Sequence, residues 1–458
     1  MIHPERIQAL NDRPVGDGRY VLYWMQASQR ANCNHALEHA IRRADERSLP
    51  VVVAFGLTDE YPEANERHYA FMLDGLAETA RALDERGVRL VVRRGSPPEV
   101  AADLAADAAL VVADRGYLRH QRQWREQLAE GVDCRVEQVE ADVVVPVETV
   151  SDKAEYAART IRPKHRRHWD AFLRPLEETT PKRESLGLRL PPAGNSESRD
   201  LDASDADGIL ASLDIDRSVP RSGRYLGGAS RAEERLGAFI ADKLSRYADE
   251  RSDPSLDIQS HMSPYLHFGQ ISPLSIALRI RDASAPAAAK DAFLEELLIR
   301  RELAVNYVRF DHRYDRYDGL PEWARGTLAA HESDARPEVY NRPRLEKCDT
   351  HDPYWNAAMR EMVVTGKMHN YMRMYWGKKI IEWTRSPKGA FGTMLALNNA
   401  YFIDGRDPAS YANVGWCFGL HDRPWTERDV FGTVRYMNDR GLERKFDIDA
   451  YVKWTEGL

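Results

Sequence analysis

Four short β-rich runs recur through the first third of the chain: RYVLYWM (19–25), PVVVAFGL (50–57), VRLVVRRG (88–95) and ALVVADRG (109–116), with helix-length stretches between them. Strands that alternate with helices predict a parallel sheet whose crossover helices cover its faces. In the second spacer Tyr69, Met72, Leu76, Ala80 and Leu83 recur at steps of three and four, which lays one apolar stripe against that sheet. After the first strand the chain reads MQASQRANCN, with no GxGxxG, so a standard dinucleotide cradle is unsupported there.

Residues 177–228 are rich in Pro, Gly, Ser and Asp and carry no periodicity, as a linker does. Beyond them come long helical patterns, SRAEERLGAFIADKLSRYADERS, AAAKDAFLEELLIRRELAVNYVRF and GKMHNYMRMYWGKKIIEWT, and no solenoid repeat. The expected division is an α/β domain over 1–176, a linker over 177–228 and a mostly α-helical domain over 229–458.

Charge and cysteines narrow the function classes. Lys+Arg 65 against Asp+Glu 72 gives a net charge of −7, so a polyanion would need a local basic surface. The clearest one is ARTIRPKHRRHWDAFLR, where Arg159, Arg162, Lys164, Arg166, Arg167 and Arg174 face one acid, Asp170. That segment is either a solvated charged face or a contact for DNA phosphates. His165 and His168 stand three apart but lack Cys or acidic companions, so no metal is expected. The four cysteines form no CxxC pair, no signal-peptide pattern opens the chain and no apolar run reaches membrane-spanning length. A cytoplasmic protein without membrane contact is expected, nucleoid-associated if prokaryotic. P-loop, GxSxG and HExxH motifs are absent.

Three stretches could carry chemistry. His369, Arg373, Trp376, Ile380 and Trp383 fall on one helical stripe, so Arg373 is either a snorkelling side chain or half of a buried ion pair beside a cofactor. Trp376 and Trp383 would then lie about 10 Å apart along the axis, a separation suited to electron hopping, with Trp355 as a third member. In SHMSPYLHFGQISPLS both Ser263-Pro264 and Ser272-Pro273 have the form of an N-cap followed by Pro, and Ser260 and Ser263 at a helix start also suit a phosphate. Glu296, on the stripe Phe293, Glu296, Arg300, Leu303, Tyr307, is either the i, i+4 partner of Arg300 or a cavity-lining acid able to stay protonated.

Taken in order, YWMQASQR, EYAARTIRPK, YADERSDP, SHMSPYLHFGQIS, EELLIRREL, GKMHNYMRMYWGKKIIEW, DGRDPASY and VGWCFGLHDRPW resemble class II cyclobutane pyrimidine dimer photolyases of the photolyase and cryptochrome superfamily, almost end to end. The resemblance implies an N-terminal Rossmann-like antenna domain and a C-terminal helical domain that holds FAD. It implies light-driven repair by electron transfer from photoexcited FADH⁻ to a dimer flipped out of DNA, and a monomer with an antenna chromophore of deazaflavin or folate type. By the same resemblance Tyr247, Ser260, Met262 and Ser263 cradle the diphosphate and ribityl region, Arg373 and Asp404 pair beside the isoalloxazine next to Gly405, and Asn398 faces flavin N5. Trp355, Trp376 and Trp383 match the electron-transfer chain. Glu296 matches the acid at the lesion pocket, Trp416 its aromatic wall, Arg251 the side chain that enters the gap in the duplex, and Arg300 and Arg423 further DNA contacts. Two departures stand out: His35 replaces a tryptophan of the first helix, and Arg300 stands where some relatives place a tryptophan against the dimer. The other functional class with these residues is a cryptochrome-like blue-light receptor that uses the flavin without repair.

Overall fold

In a computed structural model that describes residues 2–192, 194 and 200–458, the N-terminal lobe is built on one seven-stranded sheet. Its strands are β1 (Ile7–Ala9), β2 (Tyr20–Trp24), β3 (Val51–Leu57), β4 (Arg89–Arg94), β5 (Ala108–Asp114), β6 (Arg135–Val139) and β7 (Asp200–Leu201), in the order β1-β6-β5-β2-β3-β4-β7. The five inner strands are parallel, and short antiparallel strands close both edges. The winding reverses between β2 and β5, so a crevice opens past their carboxyl ends.

Alternation along each strand sorts side chains between two cores. Val21 and Tyr23 pack with helices His35–Asp45 and Glu66–Glu85, while Tyr20, Leu22 and Trp24 pack with Pro97–Ala105 and the Leu128–Ala129 end of helix Arg119–Gly131. Asn34 starts the first of these helices by accepting from the Ala36 and Leu37 N–H groups, and its amide donates back to the Tyr23 hydroxyl (2.9 Å). The sequence reading found β2 to β5 and missed three strands. β6 reads RVEQV without a continuous apolar run, and β1 and β7 are too short to show a period.

Part of the segment read as a linker is built onto this lobe. β7 extends the sheet beside β4, and helix Ala206–Ser212, capped by Asp205, buries Ile209 and Leu210 in the core of helix Glu66–Glu85. Composition registers the Pro, Gly and Ser around them but not a two-residue apolar step.

From Ala229 onward the named elements are helical. Two patterns read as single long helices are interrupted. The first runs as Ala229–Ala238, a π turn at Phe239–Lys243, a 3-10 turn at Leu244–Arg246 and Tyr247–Glu250; the second runs as Ala287–Leu294, a π turn at Glu295–Arg300 and Arg301–Phe310. The lobes meet over buried polar seams. Arg67 donates to the carbonyls of Met362 (3.2 Å), Val363 (2.6 Å) and Tyr401 (2.8 Å), while Glu302 accepts from the Val144 N–H (2.6 Å) and from His165 (2.7 Å).

Candidate active site

The cradle starts from helix Asn370–Trp383, where Arg373 points at the turn that follows helix Pro387–Tyr401. Its Nη2 lies 2.7 Å from Asp404 Oδ1, and its guanidinium carbon sits 3.6 Å over the Phe402 ring. The buried ion pair, rather than the snorkelling arginine, is what the stripe encodes. Burial alone would raise the Asp404 carboxyl, but Arg373, then Lys367 and the Ser263 hydroxyl, outweigh it and hold the group well below the ordinary carboxylate range. The turn that presents Asp404 needs Gly405, because a Cβ there would stand 2.9 Å from the Asn398 carbonyl oxygen.

Lys367 is the residue the sequence reading passed over. Its Nζ donates to Ser263 Oγ (2.8 Å), and no carboxylate comes within ion-pair distance among the described residues, so burial pushes the ammonium down to about 8. Ser263 is the first residue of helix Ser263–His267 rather than its cap, which is the buried Met262; Ser272, in contrast, does cap its helix through the Leu274 N–H. Ser260 is half-buried upstream of that helix start. A lysine short of a counter-ion, a serine hydroxyl and a helix start at one spot form a donor set for an anion. Asn398, 4% exposed, donates its amide to Asn399 Oδ1 (3.1 Å), and its own Oδ1 accepts from no described residue. The Trp376 Nε1 is buried with no partner. These groups fit a flavin: anion donors and an ion pair meet at one spot, beside an open amide oxygen.

The tryptophans lead away from the cradle. Phe402, under Arg373, lies 6.4 Å from Trp376; the Trp355 Nε1 donates to the Trp376 carbonyl (3.1 Å), and the Trp355 and Trp383 rings are 5.6 Å apart. Trp355, from helix Pro353–Thr365, therefore stands between the other two in space although it precedes both in sequence. Trp383 continues into Tyr340 and His351, each 5.3 Å from it.

Glu296 is not the partner of Arg300. The π turn moves each same-face neighbour from four residues on to five, so Arg300 Nε approaches Glu295 (3.4 Å) and Glu296 is free to pair with Arg251 Nη1 (2.8 Å). Arg251 also lies 5.5 Å over Tyr247, whose hydroxyl is pushed up to about 12 by burial and then by Glu296. Tyr247, Arg251 and Glu296 are thus one cluster, about a third exposed at its charged ends. Half-buried Trp416 belongs to a second group in which cations and indoles alternate: Lys378, Trp416, Arg435, Trp425, Arg423, with spacings of 5.1, 5.4, 4.2 and 4.8 Å. The sequence reading had Trp416 and Arg423 but not the three residues between or beside them.

The basic segment is partly spent on structure. Arg162 grips Glu295 (2.6 Å) and Lys164 grips Glu155 (2.5 Å), whereas Arg159, Arg166 and Arg167 are exposed and form no close ion pair with a described carboxylate, Arg166 lying near enough to Glu295 to lower its carboxyl. His165 is held between Glu302 and the Trp169 Nε1 (2.8 Å).

A separate, partly open cleft lies where the sheet crevice meets the helical lobe. Gln26, Phe55, Tyr61 and Arg115 line it from the ends of β2, β3 and β5 or just beyond, and His267 and Arg406 line it from the other lobe. Buried Gln29 Oε1 and Arg406 Nε have no partner there.

Known proteins resemble this chain in sequence and fold. The DNA photolyase family model matches residues 21–182. A deoxyribodipyrimidine photo-lyase of Methanothermobacter thermautotrophicus is 50% identical over 459 aligned positions, covering 100% of this chain and 99% of that protein. The chain belongs to the DNA photolyase family. A photo-lyase of Arabidopsis thaliana is 36% identical, covering 100% of this chain and 94% of that photolyase. Among solved structures, a class III photolyase from Agrobacterium tumefaciens superposes with a TM-score of 0.72 at 18% identity, over 96% of this chain and 86% of that one. It shares the photolyase fold: a mostly parallel sheet domain followed by a helical one.

Proposed function

We infer that the chain is a light-driven repair enzyme that opens pyrimidine dimers in DNA with a flavin cofactor. The observation that carries this reading is the convergence of Lys367, Ser263, Arg373 and Asp404 on one anion-seeking cradle, in a chain whose full-length relatives are named deoxyribodipyrimidine photo-lyases. We assign it to class II and its active cofactor form to FADH⁻. The expected division at 1–176, 177–228 and 229–458 is kept as a functional one, antenna, connection and catalysis.

Reduced FAD, when bound, supplies the light absorption and the electron that splits the cyclobutane ring. Tyr247, Ser260, Met262, Ser263 and Lys367 hold the diphosphate and ribityl end; Arg373, Asp404 and Gly405 flank the ring, and Asn398 presents its amide at N5. A dimer inside a duplex cannot reach a buried cofactor, so the lesion must leave the stack. Arg251 then fills the gap, Arg300 and Arg423 contact the DNA, and Trp416 walls the extruded bases. Glu296 takes a place at a lesion carbonyl oxygen, where a hydrogen bond stabilises charge as it develops. Arg251 engages Glu296 in the free protein (2.8 Å), so DNA binding exchanges that ion pair for two separate tasks. Trp383, Trp355 and Trp376, in that order, return electrons from the surface.

An antenna chromophore of deazaflavin or folate type is proposed for the crevice cleft, supported by the unpartnered Gln29 Oε1 and Arg406 Nε. A second chromophore released with FAD on denaturation checks it. We place the enzyme in the cytoplasm as a monomer, in keeping with four unpaired cysteines. No helix among the described residues is long and apolar enough to cross a membrane. The central test is Glu296→Ala: repair per absorbed photon should fall while FAD content and lesion binding persist, and unchanged repair would remove Glu296 from the site.

A further inference from the structure

The helix that carries Asn398 ends against the α/β lobe. Phe402 caps it through its N–H to the Asn398 carbonyl (3.1 Å), and that lobe takes carbonyls at and beyond its last turn: Asn65 Nδ2 donates to Ala400 (2.7 Å), Arg67 to Tyr401 (2.8 Å), and His68 Nε2 lies 3.0 Å from the Phe402 carbonyl. At the same seam Asn399, fully buried, makes three bonds. Its Oδ1 accepts from Asn398 Nδ2 (3.1 Å) and from the Arg406 N–H (3.0 Å), and its Nδ2 donates to Glu63 Oε2 (2.8 Å), a side chain of the α/β lobe.

The polarity of this chain of bonds is fixed at both ends. A backbone N–H can only donate, so the Arg406 N–H faces an oxygen; a carboxylate can only accept, so Glu63 faces a nitrogen. Together they allow the Asn399 amide one orientation. Asn398 must then turn its nitrogen to Asn399, which leaves its carbonyl oxygen as the atom free for a ligand.

We infer that Asn399, anchored by Glu63 across the lobe seam, is a positioning residue that holds the Asn398 amide with its carbonyl oxygen toward the cofactor. This rests on the reading of Asn398 as the residue at flavin N5. Reduced flavin carries a hydrogen at N5, which an amide oxygen accepts and an amide NH₂ opposes. Without Asn399 the Asn398 amide is free to present either group, and the reduced form loses its favoured partner. Asn399 also holds the turn at Arg406, whose φ is 63°, so its variants must be read by a signal that a loosened turn does not move.

That signal is the ratio of oxidised to reduced bound flavin at a fixed reference-dye poise in the dark, measured on holoenzyme together with flavin content and melting temperature. Asn399→Ala should move the ratio about fivefold toward the oxidised form, the scale of one neutral hydrogen bond, and no further than Asn398→Ala does. Asn399→Ser keeps a hydroxyl for the Arg406 N–H but is too short to serve Asn398 and Glu63 together, so it should shift the ratio the same way if the alanine variant does not retain flavin. The double variant Asn399→Asp with Glu63→Gln reverses the outer bond but preserves an oxygen toward Asn398, and should restore the wild-type ratio. A shift with Asn398→Ala but none with Asn399→Ala or Asn399→Ser overturns the relay, as does a double variant shifted as far as Asn398→Ala. If Asn398→Ala itself leaves the ratio unchanged, the reading of Asn398 fails instead.

Discussion

Glu296 and Arg251 satisfy each other in the free protein, which sets the cost of separating them. About a third of each side chain is exposed, so the pair is screened, and DNA phosphates and a lesion carbonyl can take over both ends. Removing the acid should lower repair per photon by roughly tenfold or more, the scale of a hydrogen bond to a charged group. Arg251→Ala should act instead on binding, lowering the slope of log affinity against log salt by about one. Repair and salt slope measured on both variants separate the roles. Lys367 offers a second test at this scale. Burial lowers its folded-state value from 10.5 to about 8, so between those values the unfolded chain binds more protons than the folded one and stability rises with pH. Apoprotein melting should therefore climb from pH 8 to 10 by more than that of the holoenzyme, where the flavin diphosphate keeps the ammonium charged. Equal slopes would show that Lys367 does not touch the cofactor. Neither Lys367 nor its partner Ser263 could be joined on sequence alone, because they lie 104 residues apart and only folding brings them together. Arg373 was different: on a helical face shared with two tryptophans it was either a snorkelling side chain or half of an ion pair, and Asp404 decides for the pair.

At the scale of elements the tryptophans belong to two helices packed face to face, Pro353–Thr365 and Asn370–Trp383. Trp355 is 0% exposed and joined to the other two by a ring contact and a hydrogen bond, so the proposed electron path runs through a core residue. Trp376→Phe should abolish most photoreduction of oxidised flavin yet leave repair near normal once the flavin is reduced chemically. Trp355→Phe should block photoreduction as well and cost about 1–2 kcal/mol of stability, through imperfect packing and the lost Nε1 bond. Flash photolysis beside thermal melting distinguishes a conducting tryptophan from one that only fills space. The alternation of β-rich and helical runs was legible because period survives in sequence. The π turn at Glu295–Arg300 was not: it adds one residue to a helix without changing the apolar count, and so in place of Glu296–Arg300, one of the two readings left open, it gives Glu295–Arg300 and Glu296–Arg251.

The whole molecule is two lobes joined by buried arginine, histidine and glutamate contacts, with the proposed cofactor cradle in one lobe and a second cleft at their seam. Net charge −7 means that DNA is drawn to local cations, and only part of the 159–174 segment is free to help. Replacing Arg159, Arg166 and Arg167 together by Ala should weaken binding of dimer-containing duplex and flatten its salt dependence, with repair of bound lesion unchanged; an unaltered salt slope would return those residues to a solvated face. The claim on which everything else depends is repair itself. The most direct measurement is the recovery of intact pyrimidines in a dimer-containing oligonucleotide incubated with chemically reduced enzyme, in blue light and in darkness. The structure and its relatives predict recovery that requires light and turns over many lesions per protein. Flavin-loaded, lesion-binding protein that restores no pyrimidines in light would contradict it and identify a light sensor built on the same frame.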